Sequence, residues 1–173
     1  YLYERSGTPA GDCLSGVENA VGDRHHRLPL RQYAGRPAEG GKIHVENGLV
    51  DLDNVEEETF GKNGFSGPEE LIRWLETNRS PEEPVFSHGD FSMPNVFADG
   101  DRISGFIDLG KAGKADRWQD LAICYRSLKH NFEGRYNGGF PYPGYHPDML
   151  FEKLGIRPDW EKLKYYLLLD ELF

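Results

Sequence analysis

Three polar side chains, Asp90, Asn95 and Asp108, carry the chemistry most directly readable in this chain. They fall within residues 86–110, FSHGDFSMPNVFADGDRISGFIDLG. An aspartate beside a substrate hydroxyl orients it and accepts its proton. An asparagine oxygen and a second carboxylate hold Mg²⁺ against nucleotide phosphates. Together these are the groups that phosphoryl transfer requires. Taken singly, His88-Gly89-Asp90 reads as a turn and Asp108-Leu109-Gly110 as a strand end followed by a loop, so the weight lies on their conjunction.

A hairpin must bring them together. Val96-Phe97 reads as a short strand, residues 98–101 as a tight turn in which Gly100 takes positive φ, and residues 102–107 as the returning strand. Val85-Phe86 reads as a buried strand leading into the loop, and Pro94 predicts extended backbone at Met93. Helices are predicted around this unit. One opens at Ser66-Gly67-Pro68 with Leu71, Ile72, Trp74 and Leu75 on its apolar face. A second covers residues 116–129, a third runs from Asp148 to Leu154, and the last covers residues 160–169. Residues 132–145, rich in Gly, Pro and Tyr, read as a loop.

The spacing of the polar triad matches the protein-kinase catalytic loop, H-R-D-x-x-x-x-N followed by D-F-G, with Gly89 in place of the arginine and Leu109 in place of the phenylalanine. The variant H-G-D-x-x-x-x-N with I-D-x-G resembles the aminoglycoside phosphotransferase and choline kinase superfamily. Two further stretches, GKADRWQDLA at 113–122 and DWEK…DELF at 159–173, look like the aminoglycoside 3'-phosphotransferases in particular. The resemblance runs from about residue 49 to the end. It implies an α+β fold, the protein-kinase-like C-terminal lobe, mostly helical with a short catalytic-loop β-hairpin. It also implies transfer of the γ-phosphoryl group of ATP to the 3'-hydroxyl of an aminoglycoside, with ATP and Mg²⁺ as cofactors and antibiotic resistance as the outcome.

Residue by residue, the resemblance gives Asp90 the catalytic role and makes Asn95 and Asp108 metal ligands. His88 becomes a buried support, and Asp120 an acceptor of backbone N–H bonds from the catalytic loop. For the substrate it points to Asp53, Asn54 and Glu56, to Arg126, and to Asp170, Glu171 and the terminal carboxylate of Phe173. The acidic stretch LVDLDNVEEETF reads equally well as a solvated linker. Acids at a helix C-terminus oppose the helix dipole, so Asp170 and Glu171 suggest a purpose other than stability. Lys111 and Lys114 read either as exposed loop cations or as groups reaching a phosphate. The residues that bind the nucleotide stay unassigned.

The 173 residues carry a net charge of -9, and the whole excess lies in residues 49–173, with fourteen basic against twenty-three acidic residues. Such a lobe repels nucleic acid and anionic membrane and attracts polycations, which suits an aminoglycoside. A small zwitterion such as choline or homoserine needs fewer carboxylates and is the rival substrate class. Cys13 and Cys124 have no partner at metal-ligand spacing and read as reduced thiols. No apolar run approaches membrane-spanning length, and no signal-peptide pattern is present, so the cytoplasm is the expected compartment. Oligomeric state is not legible.

Residues 1–48 form the other predicted unit, an unassigned, disordered or non-native extension. They show no sustained periodicity, and Ile43-His44-Val45 is their one strand-like piece. No phosphate-covering glycine loop and no strand lysine appears there, so the nucleotide lobe is missing from the reading. A non-catalytic remnant that binds aminoglycoside, or merely folds, is therefore a second rival. His25, His26, His44 and Cys13 fit no ordered metal site and read as solvated loop residues.

Overall fold

Amphipathic helices around the 96–106 hairpin organise the computed structural model, which describes residues 37–136 and 138–173. The elements run α1 (Pro37–Glu46), α2 (Pro68–Thr77), β1 (Pro84–Ser87), β2 (Val96–Asp99), β3 (Arg102–Phe106), β4 (Gly113–Asp116), α3 (Arg117–Phe132), α4 (Met149–Leu154) and α5 (Trp160–Asp170). Cys13, His25, His26 and most of the predicted 1–48 unit lie outside the described residues.

The core is helical. Leu71 and Leu75 of α2, Leu121 of α3, and Leu172 beyond α5 are fully buried, each contributing about 2 kcal/mol of apolar burial. Helix α3 is the central element, with Trp118, Leu121, Ala122, Cys124, Leu128 and Phe132 all in the core. Asp116 caps its first turn by accepting from the Trp118 N–H at 2.8 Å. The same buried carboxylate accepts from the Glu83 N–H at 2.7 Å and from Lys162 Nζ at 2.9 Å. This ion pair ties α5 to the start of α3, and losing either partner would strand a buried charge.

Two small antiparallel sheets flank the helices. In one, β2 and β3 form the predicted hairpin, with Val96 opposite Phe106 and a register shift between Phe97 and Ala98. Its turn is tighter than expected: β2 continues to Asp99, and Gly100, at φ 61°, starts the return. In the other, β1 pairs with β4, Phe86 opposite Lys114. Strand β4 was not predicted. Residues Gly113-Lys114-Ala115-Asp116 have no β-branched or aromatic member, so pairing with β1 makes the strand.

Three local expectations are corrected. Phe86 is 54% exposed, because β1 presents Ser87, not Phe86, to the interior. Met93 opens a 3-10 turn, Met93–Asn95, and the extended residue is Ser92 at φ -92°, ψ 156°. The three bonds that hold this turn outweigh the preference imposed by Pro94: Asn95 N–H to the Ser92 carbonyl, Val96 N–H to the Met93 carbonyl, and Met93 N–H to Ser127 Oγ. Third, Ile43-His44-Val45 lies in helix α1, not in a strand. The helix packs on the lobe through its glycines: a Cβ on Gly40 would lie 3.2 Å from the Phe173 ring, and one on Gly41 would lie 3.1 Å from Leu172.

Candidate active site

Strand β1 delivers Ser87 and His88 into a loop pinned from below by α3. Asp120, in the first turn of α3, accepts the His88 N–H at 2.7 Å on Oδ2 and the Gly89 N–H at 2.9 Å on Oδ1. Burial pushes the Asp120 carboxyl above the ordinary carboxylate range, and the bonds from His88, Gly89 and Ser87 work against that shift. Gln119 Nε2 reaches the Gly89 carbonyl at 3.5 Å, and Ser127 takes the Met93 N–H two turns further along α3. The loop therefore rests on a rigid helix at both ends.

Within the loop, Asn95 Nδ2 donates to the carbonyl oxygen and to Oδ2 of Asp90, each at 2.9 Å. The two N–H bonds of the Asn95 amide are thus committed to Asp90, which leaves Oδ1 as the pole available to a cation. His88 Nδ1 accepts the Asp90 N–H at 3.3 Å. Its ring is buried edge-on against Phe91 and Phe106, at 5.8 and 5.9 Å between centroids. Its Nε2 is buried and has no hydrogen-bond partner among the described residues.

The hairpin then returns the chain. Ile107 N–H donates to the Asn95 carbonyl at 3.1 Å, so the residue before Asp108 is tied to Asn95. Asp108 has φ 58°, ψ 48°, the one left-handed non-glycine residue among those described. Backbone strain of this kind gathers at functional sites. Its exposed carboxylate makes no hydrogen bond or ion pair among the described residues.

Asn95 Oδ1 and the Asp108 carboxylate are hard oxygen donors, the type Mg²⁺ takes. Among the described residues, no three His, Cys, Asp or Glu side chains gather as a metal-binding group. Two protein oxygens nevertheless suit Mg²⁺, which retains waters and takes substrate phosphates for its remaining positions.

The predicted substrate residues divide. Arg126 bonds Asp170, and its Nη1 donates to Glu171 Oε1 at 2.8 Å. Glu171 Oε2 accepts the Glu56 N–H at 2.8 Å. The Glu56 carboxylate meets Arg135 Nη1 at 2.9 Å and His130 Nε2 at 3.1 Å. Glu56, Arg126, Asp170 and Glu171 are therefore one network, joined by His130 and Arg135, which the sequence reading missed.

Burial pulls the Arg126 guanidinium down, but Asp170 and Glu171 outweigh it and keep it firmly charged. Burial raises Glu56, yet Arg135, His130 and Arg126 hold it below the ordinary range. Glu171 is pushed up, first by burial, although the Glu56 N–H and Arg126 oppose that shift. Asp53 and Asn54 do not join: both are exposed and close a local turn on Asp51, with Asn54 Nδ2 2.5 Å from Asp51 Oδ2.

Phe173 lies apart from this network, beside the loop that follows Asp108. Lys111 Nζ stands 5.2 Å above its ring, and His44 of α1 stacks obliquely at 4.9 Å. The loop that carries Asp108 is thereby in contact with the chain's last residue. Lys114 sits in β4 and is exposed.

Comparison with known proteins agrees with this arrangement. A family model described as the phosphotransferase enzyme family, APH, matches residues 12–151. An aminoglycoside 3'-phosphotransferase of Enterococcus faecalis is 46% identical over 132 residues, covering 75% of this chain and 45% of that protein. The chain thus spans about half the length of the curated relatives it matches. The crystal structure of an aminoglycoside-3'-phosphotransferase of type VIII superposes with a TM-score of 0.68 at 30% identity, over 94% of this chain and 59% of the other. An aminoglycoside phosphotransferase from Streptomyces rimosus, in complex with ADP and streptomycin, superposes with a TM-score of 0.70 at 25% identity, over 96% and 65%. A helix-pinned H-G-D loop, an asparagine clamped on the aspartate and a family match across more than half its length agree: the chain belongs to the phosphotransferase enzyme family.

Proposed function

We propose that this lobe serves the ATP-dependent phosphorylation of an aminoglycoside 3'-hydroxyl. The observation that carries the reading is the Asp90–Asn95 clamp on a loop pinned by Asp120. Asp90 orients the acceptor hydroxyl and takes its proton, while Asn95 holds the Asp90 carboxylate in one position. Asn95 Oδ1 and Asp108 hold Mg²⁺, which when bound neutralises charge on the nucleotide phosphates. ATP as donor is supported by the ADP held by the Streptomyces rimosus relative, and the aminoglycoside by the names of the relatives. The substrate's ammonium groups meet Glu56, Asp170 and Glu171, with Phe173 beside them; Asp53 and Asn54 contribute from the neighbouring turn.

In this reading residues 49–173 are the catalytic and substrate lobe, and α1 supports the end of the chain through Gly40, Gly41 and His44. Cytoplasmic location and antibiotic resistance follow from the use of ATP and from the substrate class. Among the described residues, no helix is long and apolar enough to cross a membrane.

The second reading is a lobe that binds aminoglycoside without transferring phosphate, favoured by the 45% coverage of the Enterococcus faecalis relative. Kanamycin-dependent ADP release by the purified chain distinguishes the two. Release supports transfer, and kanamycin binding without release supports the binding lobe.

A further inference from the structure

Glu56, one of the acids assigned above to the substrate, already holds a cation. Arg135 Nη1 donates to Glu56 Oε2 at 2.9 Å and Oε1 at 3.2 Å, and stands 3.0 Å from His130 Nε2. Nη1 has two N–H bonds and faces three acceptor atoms. His130 Nε2 is equally overcommitted: it lies 3.1 Å from Glu56 Oε1, where it must donate, and faces an Arg135 N–H, where it must accept. One ring nitrogen does only one of these at a time. On the other side of the ring, Nδ1 meets the Tyr136 hydroxyl at 3.1 Å, a partner that accepts either tautomer. The cluster therefore holds one contact more than its protons satisfy, and removing Arg135 would leave a consistent His130 Nε2–H to Glu56 bond.

The two arginines of the network differ in how firmly they are held. Arg126 lies on the buried helix α3, its side chain 23% exposed and spanning both Asp170 and Glu171. Arg135 lies beyond the end of α3 with its side chain 47% exposed, and Gly138 and Gly139, both at positive φ, follow it. An exposed ion pair on such a turn adds little to stability and exchanges readily. Arg126 is a fixed part of the fold, whereas Arg135 is free to leave.

We infer that Arg135 is an internal stand-in for a substrate ammonium group, seated on Glu56 until a polyammonium ligand displaces it. It thereby weakens binding and favours ligands with an ammonium group placed to compete for Glu56. The inference rests on the aminoglycoside reading of the site.

Calorimetric titration with kanamycin at low salt tests it, on the 173-residue chain and on Arg135→Gln, Glu56→Gln and the double variant, each checked for folding by circular dichroism. Arg135→Gln is expected to tighten binding roughly two- to fivefold, the factor an exposed ion pair represents. The double variant is expected to bind no more tightly than Glu56→Gln alone, because without Glu56 there is nothing to release. Unchanged or weaker binding by Arg135→Gln, with the parent chain still binding, overturns this inference and leaves the proposed function standing. Absence of binding in all four folded proteins overturns both.

Discussion

A Cβ atom on Gly89 would stand 2.3 Å from the carbonyl oxygen of Lys111. Gly89 also has φ 87°, where side chains are strained. The glycine of the H-G-D motif is thus the place where its loop and the loop after Asp108 touch backbone to backbone. This contact explains why the arginine of the protein-kinase motif is absent: no side chain fits there. Gly89→Ala is expected to lower stability by about 2–4 kcal/mol through strain and overlap, measured as the urea unfolding free energy. A stability within about 0.5 kcal/mol of the parent, the ordinary scatter of surface changes, would contradict the contact.

Asp120 is the second support. Replacing it by Ala leaves the His88 and Gly89 N–H groups buried without acceptors, which costs roughly 1–3 kcal/mol for each. Native-state hydrogen exchange should show those two amides exchanging faster in Asp120→Ala by more than amides of α5 do. Equal acceleration throughout would mean that Asp120 supports the fold generally and not the loop.

The Glu56–His130 contact gives a pH dependence with a definite sign. Burial, reinforced by Arg135, Arg126 and Lys129, lowers His130 from its ordinary value near 6.5 despite Glu56. The unfolded chain then binds the proton more readily than the fold, so the His130 contribution is present above pH 6.5 and is lost as pH falls through the depressed value. Glu56, also lowered, loses its contribution only below 4.5, in a separate window. Urea midpoints should fall between pH 7.5 and 5.5, and His130→Gln should flatten that fall. An unchanged slope in the variant would rule out His130 as its source.

Cys124 is fully enclosed in the core, and burial, with Asp120 nearby, pushes its thiol up to about 12. Iodoacetamide should leave Cys124 unlabelled in the native protein and label it in urea, read by peptide mass mapping so that Cys13 is scored separately. Rapid native labelling would contradict the described core.

The β2–β3 hairpin and the three long helices were legible because their signals are local: polar residues at fixed spacing, a glycine at the turn, and apolar residues at helical period. Elements made by tertiary contact were not legible. Strand β4 exists because β1 pairs with it. Helix α1 carries two glycines that weaken a helix in isolation, yet they allow it to approach Leu172 and Phe173. The same limit applies at the site. The acids Asp170 and Glu171 were readable as charges at the end of a chain, but their partner Arg126 gives them a structural share that spacing does not reveal. Arg135 follows no period that would mark it, although it pairs with Glu56. Asp53 and Asn54 were adjacent to Glu56 in sequence, and a turn on Asp51 separates them from its network.

The most direct test of the account is kanamycin-dependent ADP release by the chain in Mg²⁺ and ATP, compared with Asp90→Asn, alongside calorimetric titration of both with kanamycin. Release is expected, and Asp90→Asn is expected to reduce it roughly 10²- to 10⁴-fold while kanamycin affinity changes little, as befits a group acting in the transition state. Release that survives in Asp90→Asn would contradict the role of Asp90, and kanamycin bound by the parent chain without release would contradict transfer by this lobe.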